Sequence, residues 1–371
     1  MQKHEPLGDT PSGRRSGIRR LVYRPSGENV TKDSPKGSRQ AWRERDWSSI
    51  KDRLRLTVQR APEVVINVKG SRRSQDGDQA AIEGVMRYMM YISRNGQLPT
   101  LDERGEKNEG REEIRGTHSS WNLDMQRTRG LKNESLHPSF NIIFSMPAKT
   151  DPQKMLEAVQ AVAQARFQGH QYLMALHTRE TDPAKDAPEH PHVHLILRAE
   201  DEDGNRIHIR KTDLRSWREQ FAAELRARGI DANATSRAER GRSRKAVSGA
   251  EWHIQKRYQE ARERGESPEP SKVRTARFHA AADELREGRT EPKRWELAMA
   301  ARRRDLMREL KENATQLRQE GDTELAEQVD RFAEDMAPLD SERRQVQRAL
   351  VEQVKNRLRE RSPEKPEDLS R

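Results

Sequence analysis

The run from His190 to Glu200, HPHVHLILRAE, constrains this chain more than any other stretch, because its alternation followed by a continuous apolar run reads as a strand. Successive side chains of a strand point to opposite faces. His192 and His194 therefore share one face while Val193 and Leu195 turn into a core on the other. Neutral imidazoles are good ligands for divalent metals, and two on one strand face preset a ligand pair. A third ligand is offered by His177, near the end of the preceding predicted strand QYLMALHT (Gln171 to Thr178), where pairing of the two strands can bring their ends together. A lone histidine is ordinarily a plain surface or core residue. Alternating histidines at the start of an apolar strand, with another ending its neighbour, favour a metal site. The His-x-His pair also occurs in zinc hydrolases and does not by itself name a reaction.

The surroundings of this strand predict an α+β fold. PEVVINVKG, from Pro62, reads as a buried strand, and Gln79 to Ser93 has the apolar spacing of a helix. Residues 97–135 read as a long polar loop with room for a short helix around Trp121. FNIIFSMP (Phe140 to Pro147) is a strand, followed by a helix with Asp151 as N-cap and Pro152 at its first position. After the histidine strand, the Asp-Gly turn at Asp203 leads into RIHI, a predicted hairpin. The last helix of this part runs from about Thr212 to Arg228 and stops at Gly229.

Charge divides the chain. The net charge is +11, and residues 1–60 carry 15 basic against 7 acidic residues, whereas residues 246–371 carry 27 of each. With only 32% hydrophobic residues, one compact domain of 371 residues is not expected. Residues 1–60, rich in Gly, Ser, Pro and Arg, read as a disordered, flexible basic arm suited to a polyanion or to simple solubility. Residues 61–245 form the expected globular domain, and 246–361 read as a charged, all-helical C-terminal region with apolar faces such as Leu306, Leu310 and Leu317. Residues 362–371 read as a disordered tail. The absence of cysteine excludes thiolate metal sites and cysteine nucleophiles, and fits a reducing cytoplasm. No segment has the apolar length of a membrane span or of a secretory signal, so no membrane insertion is expected.

Two further segments carry chemistry. YISRNG, Tyr91 to Gly96, places a tyrosine where a helix meets a glycine turn. A phenol becomes a useful nucleophile when a metal or base assists its deprotonation, and a phosphotyrosine diester conserves the energy of a broken DNA bond for later resealing. Taken alone, Tyr91 reads more readily as a buried aromatic. TSRAERG, Thr235 to Gly241, offers Arg237 and Arg240 as bidentate phosphate ligands, or else forms a solvated linker.

Together these residues resemble the P-type mobilisation relaxases of the HUH endonuclease superfamily, over roughly Val64 to Lys245. The resemblance rests on a Tyr-x-Ser-Arg-x-Gly segment (Tyr91, Ser93, Arg94, Gly96), a His-Pro-His-x-His strand (His190, Pro191, His192, His194), and an Ala-Thr-Ser-Arg-Ala-Glu-Arg-Gly run from Ala234 to Gly241. The tyrosine precedes the histidines, as in relaxases and unlike replication initiators. The resemblance implies an HUH-type antiparallel-sheet core. It implies Tyr91 as nucleophile, with Tyr88 one helical turn earlier as competitor, and His177, His192 and His194 as ligands of a divalent ion, Mg²⁺ or Mn²⁺. It implies DNA contacts by Arg94, His190, Arg237 and Arg240. The family commonly places an acidic residue two positions after the first histidine, where this chain has Arg179. Asp182, Asp186 and Glu189 are the substitutes, and Glu189 ranks first as a catalytic group because it abuts His190.

The implied activity is a strand-specific nick in single-stranded DNA opened from duplex at a transfer origin, leaving a 5′-phosphotyrosine adduct. The implied partners are relaxosome accessory proteins and a type IV coupling protein, with the protein made in the bacterial cytoplasm and open to transfer with its DNA. The alternatives are a rolling-circle replication initiator and a non-enzymatic DNA-binding accessory factor with a decayed nuclease fold.

Overall fold

The computed structural model describes residues 36–71, 78–124, 137–182, 188–243, 249–270 and 272–361. The chain divides into two compact units, residues 55–235 and residues 1–54 with 236–371. The class is α+β, with the sheet confined to the first unit.

That sheet is fully antiparallel. Its strands are β1 (Val65–Gly70), β2 (Thr100–Asp102), β3 (Lys107–Asn108), β4 (Ser139–Ser145), β5 (His170–His177) and β6 (His192–Asp201), in the order β1-β4-β6-β5-β2-β3. The histidine strand β6 is interior, flanked by β4 and β5 along its length, which is why it reads as nearly continuously apolar. Its pleat separates two cores. Val193, Leu195 and Leu197 pack with Phe144, Met155, Val159 and Phe221 beneath the helices Pro152–Arg166 and Lys211–Ala227. On the other face Ile196, Leu173 and Ala175 pack against Val85, Met89 and Ile92 of the helix Asp78–Ile92 and Ile114 of the helix Arg111–Ser120. In chain order these helices are α2 (Asp78–Ile92), α3 (Arg111–Ser120), α4 (Pro152–Arg166) and α5 (Lys211–Ala227), after α1 (Lys36–Val58).

Local signals fix several element ends. The Asp151 side chain accepts hydrogen bonds from the backbone N–H groups of Gln153 (2.9 Å) and Lys154 (3.1 Å), so α4 begins where expected. Gly229 adopts the left-handed conformation that ends α5.

Three expectations need correction. The loop 97–135 holds a short helix next to Trp121, as expected (α3, with Trp121 as its C-terminal cap), but also the unexpected hairpin β2–β3, and residues 125–136 lie outside the described residues. The expected RIHI strand is reduced to one bridge, Glu200 to Arg206. β5 pairs with β6 as far as Asp201 and β4 as far as Arg198, so the returning chain finds a free edge only on the β4 side beyond Arg198. The arm is the third correction. Residues 1–35 lie outside the described residues, but Lys36–Val58 is a helix, with Leu54 buried and the ion pairs Lys51–Glu320 (3.1 Å) and Arg53–Glu239 (2.6 Å).

The second unit also contains α6 (Gly249–Glu263), α7 (Lys272–Arg286), α8 (Arg294–Gln319), α9 (Thr323–Glu334) and α10 (Glu342–Arg361). Leu306, Leu310 and Leu317 of α8 are buried, as are Leu325 and Val329 of α9, whereas Val354 and Leu358 of α10 are exposed. The tail 362–371 lies outside the described residues. No described helix is long and apolar enough to cross a membrane.

Candidate metal centre and nucleophile

Backbone pairing assembles the histidines. His177, the last residue of β5, stands directly opposite His192, the first of β6, and His194 follows two residues later on the same face. All three are buried, and one ligand nitrogen from each lies within 4.8 Å of the others. Burial is the main force on their protonation. It pushes His177 below its ordinary value, helped by the Arg94 charge, and it takes His192 down to about 4 and His194 down to about 3, where neighbouring imidazoles add to the effect. At neutral pH the cluster is therefore uncharged and offers lone pairs, the form a metal needs.

Each ring is also held from behind. His192 Nδ1 donates to the His190 carbonyl (3.2 Å), leaving Nε2 as an acceptor. His194 Nδ1 pairs with the Tyr88 hydroxyl at 3.1 Å. His177 has its Nδ1 against Asp182 Oδ2 at 3.0 Å and its Nε2 against the Ile92 carbonyl at 2.7 Å. Neutral His177 can donate to only one of these oxygens, and the carboxylate is the stronger acceptor. Three neutral imidazoles with fixed outer partners are a donor set that fits a divalent transition ion.

Two tyrosines from α2 lie over the cluster. Tyr88 is mostly buried, and desolvation pushes its hydroxyl pKa above the ordinary 10. Tyr91 is 50% exposed, stacks on Tyr88 (5.8 Å between ring centroids) and meets the His194 ring edge-on at 5.7 Å. The turn after Tyr91 explains its sequence. Ser93 is buried, its Oγ accepting from Gly96 N (3.2 Å) and donating to the Met90 carbonyl (3.3 Å). At Gly96 (φ 83°) a Cβ would come within 2.5 Å of the backbone at Gly110 and Arg111, so glycine is required.

Comparison with known proteins gives this geometry a family. A family model described as relaxase, MobA/VirD2-like, nuclease domain matches residues 91–230, a span that starts at Tyr91 and includes all three histidines. Over residues 91–230, less than half of the chain, the protein is similar to MobA/VirD2-like relaxase nuclease domains. No curated protein matches the chain significantly. One solved structure, from work on the molecular basis of vancomycin resistance transfer in Staphylococcus aureus, aligns over 47% of this chain and 99% of its own at 14% identity. Its TM-score of 0.28 is too low to carry an argument.

Within the relaxase domain the structure does not bring every expected residue to the cluster. His190 sits at its rim, exposed, with its ring 5.6 Å from that of His192. Glu189 is exposed and makes no hydrogen bond or ion pair to the histidines among the described residues. Asp182 orients His177 instead. Proximity to His190 in sequence favoured Glu189, but the chain leaving β5 turns back at Thr178, where Asp182 N donates to the Thr178 carbonyl (3.0 Å), and this returns Asp182 to the end of its own strand. Asp186 lies outside the described residues. Arg94 does not point freely toward a ligand: its Nε and Nη2 grip both Asp182 oxygens at 2.7 and 2.6 Å. Arg237 and Arg240 belong to the other unit, in a turn that ends at Gly241, with Arg237 exposed.

Proposed function

We propose that this relaxase domain nicks one DNA strand at a transfer origin by tyrosine transesterification, with Tyr91 as the nucleophile. The observation that carries the reading is the half-exposed Tyr91 ring lying against a buried, neutral three-histidine cluster. The Tyr91 oxygen forms a bond to the scissile phosphorus as the bond to the 3′ oxygen breaks. The phenol gives up a proton, the departing 3′ oxygen gains one, and the 5′ phosphate remains on the tyrosine. Because one diester replaces another, a 3′-hydroxyl can later reverse the step without an external energy source. His177, His192 and His194 would hold a divalent ion, which when bound would supply neutralisation of the charge that develops on the phosphate. Three nitrogens suit Mn²⁺ or a similar transition ion better than Mg²⁺, which prefers oxygen donors.

The protein's own groups divide the work. Tyr88 holds His194, and its desolvated hydroxyl is a poor source of phenolate. Tyr91 stays open to solvent and to DNA. His190 at the rim and exposed Arg237, with Arg240, are suited to the phosphate backbone. The transferred complex would engage accessory proteins and a coupling protein of a type IV channel.

The test is incubation of purified protein with Mn²⁺ and labelled single-stranded DNA tiled across the transfer origin, followed by denaturing gels. A protein-DNA adduct that is lost in Tyr91→Phe and kept in Tyr88→Phe is the expected result. An adduct that survives Tyr91→Phe removes Tyr91 as the nucleophile, and no adduct on any strand removes the transesterase reading.

A further inference from the structure

We propose that Arg94 is a positioning residue that locks the tyrosine turn to the first metal histidine through Asp182, and that it does not bind DNA. The inference rests on the relaxase reading above and concerns what holds its parts in register.

The geometry is a continuous chain of contacts. Arg94 lies two residues beyond the end of α2 and adopts the left-handed conformation (φ 49°), as does Asn95 (φ 58°). Two consecutive non-glycine residues at positive φ are uncommon, and the surrounding backbone holds them: Arg94 N donates to the Tyr91 carbonyl (3.3 Å) and Asn95 N to the Met90 carbonyl (2.8 Å). This conformation turns the Arg94 side chain back over the site. The guanidinium grips both Asp182 oxygens, its Nη1 donates to the Tyr91 carbonyl at 3.1 Å, and its carbon lies 4.9 Å from the centre of the Tyr91 ring. Asp182 then accepts from His177 Nδ1 at 3.0 Å, and the other nitrogen of that ring faces the carbonyl of Ile92, the residue after Tyr91. The chain of contacts starts and ends at the C-terminus of α2.

Burial decides between a clamp and a DNA contact. The Asp182 side chain is fully buried and that of Arg94 is only 17% exposed. A carboxylate without solvent needs its charge matched, and Arg94 matches it with the two parallel bonds that a guanidinium fork makes and an ammonium cannot. A guanidinium committed to Asp182 on one edge and to the Tyr91 carbonyl on another has little left for a phosphate. The consequence is that the orientation of His177 and the placement of Tyr91 are set together. Loosening Arg94 should weaken metal uptake as well as nicking, although Arg94 touches neither metal nor DNA.

The test uses full-length protein, with Arg94→Lys, Arg94→Ala, Asp182→Ala and the Arg94→Ala/Asp182→Ala pair. Mn²⁺ affinity is measured by calorimetry, single-stranded DNA affinity in EDTA by fluorescence anisotropy across a salt series, and adduct formation by gel. Loss of an outer-shell partner typically costs about 10–100-fold in metal affinity. Arg94→Lys is therefore expected to weaken Mn²⁺ binding by about tenfold and to slow adduct formation at least as much. DNA affinity and its salt slope should stay within twofold of wild type, and the double variant should lose no more Mn²⁺ affinity than Asp182→Ala alone. Unchanged Mn²⁺ affinity, combined with weaker DNA binding and a salt slope reduced by about one, would make Arg94 a phosphate contact and overturn the proposal. Additive Mn²⁺ losses in the double variant would also overturn it. Because Arg94→Lys retains the charge, it remains informative if Arg94→Ala fails to fold. A wild-type protein that binds no Mn²⁺ and forms no adduct sinks the relaxase reading itself, whereas a competent wild type matched by Arg94→Lys sinks only the clamp.

Discussion

Acidifying the metal-free protein should destabilise the sheet unit through its histidine cluster. Burial holds His192 at about 4 and His194 at about 3 in the folded chain, against an ordinary 6.5. As the pH falls through 6.5, the unfolded chain protonates both rings while the folded chain keeps them neutral. The unfolded state then binds more protons, so the stability present above pH 6.5 is lost progressively as the pH approaches the folded values. Each ring costs about 1.4 kcal/mol per pH unit in that window. Between pH 6.5 and pH 5, starting from a half-protonated unfolded ring, the loss is about 1.6 kcal/mol per ring and about 3 kcal/mol for the pair. Against a total stability of roughly 5–15 kcal/mol, this is a large fraction. The assay is urea unfolding in EDTA at pH 6.5 and pH 5, comparing wild type with the His192→Gln/His194→Gln variant. Carboxylates elsewhere titrate alike in both proteins, so the difference between the two pH dependences isolates the cluster. Wild type should lose about 3 kcal/mol more than the variant. Equal losses would refute the claim that these imidazoles are buried in their neutral form.

Other perturbations separate structure from chemistry. Tyr88→Phe should retain adduct formation but lose about 1–2 kcal/mol in urea unfolding, because His194 Nδ1 forfeits its buried partner; unchanged stability would mean that the 3.1 Å contact contributes nothing. Tyr91→Phe should leave the unfolding midpoint unaltered, since the side chain is half exposed, while abolishing the adduct. Gly96→Ala should cost roughly 1–3 kcal/mol or more and should impair nicking through displacement of the Tyr91 turn, as read by urea unfolding and adduct yield together. Asp151→Ala, far from the cluster, should cost about 1 kcal/mol from the lost cap of α4 with no change in Mn²⁺ affinity, measured by calorimetry.

The elements that could be read in advance are those whose signals are local. The alternation in β6, the run ending in His177, the Asp151-Pro152 start of α4 and the Gly229 stop of α5 each depend on a few neighbouring residues. The pairing of β5 with β6 then brings His177, His192 and His194 together. What escaped depends on residues distant in sequence. Helix α1 looked too polar to order itself because its ion-pair partners, Glu239 and Glu320, lie far along the chain. The β2–β3 hairpin is very short, and its strands are too polar to show a period. Asp182 stood in the sequence beside Asp186 and Glu189 with nothing to distinguish it, since only the path of the chain leaving β5 returns it to His177 and to Arg94. The grip of Arg94 on Asp182 is hidden from the sequence for the same reason, since the two are 88 positions apart.

The pairing of β5 with β6 also sets an order of assembly. The three histidines come from two strands adjacent in sequence, so the backbone ladder that joins those strands creates the ligand set in one local event. Tyr88, by contrast, reaches His194 across 106 positions of chain, and Tyr91 rides on the same helix. Contacts between near neighbours form at lower entropic cost than distant ones. On that ground the three imidazoles are expected to come together before α2 seats Tyr88 and Tyr91 over them during refolding, an order that pulse-labelling hydrogen exchange would read.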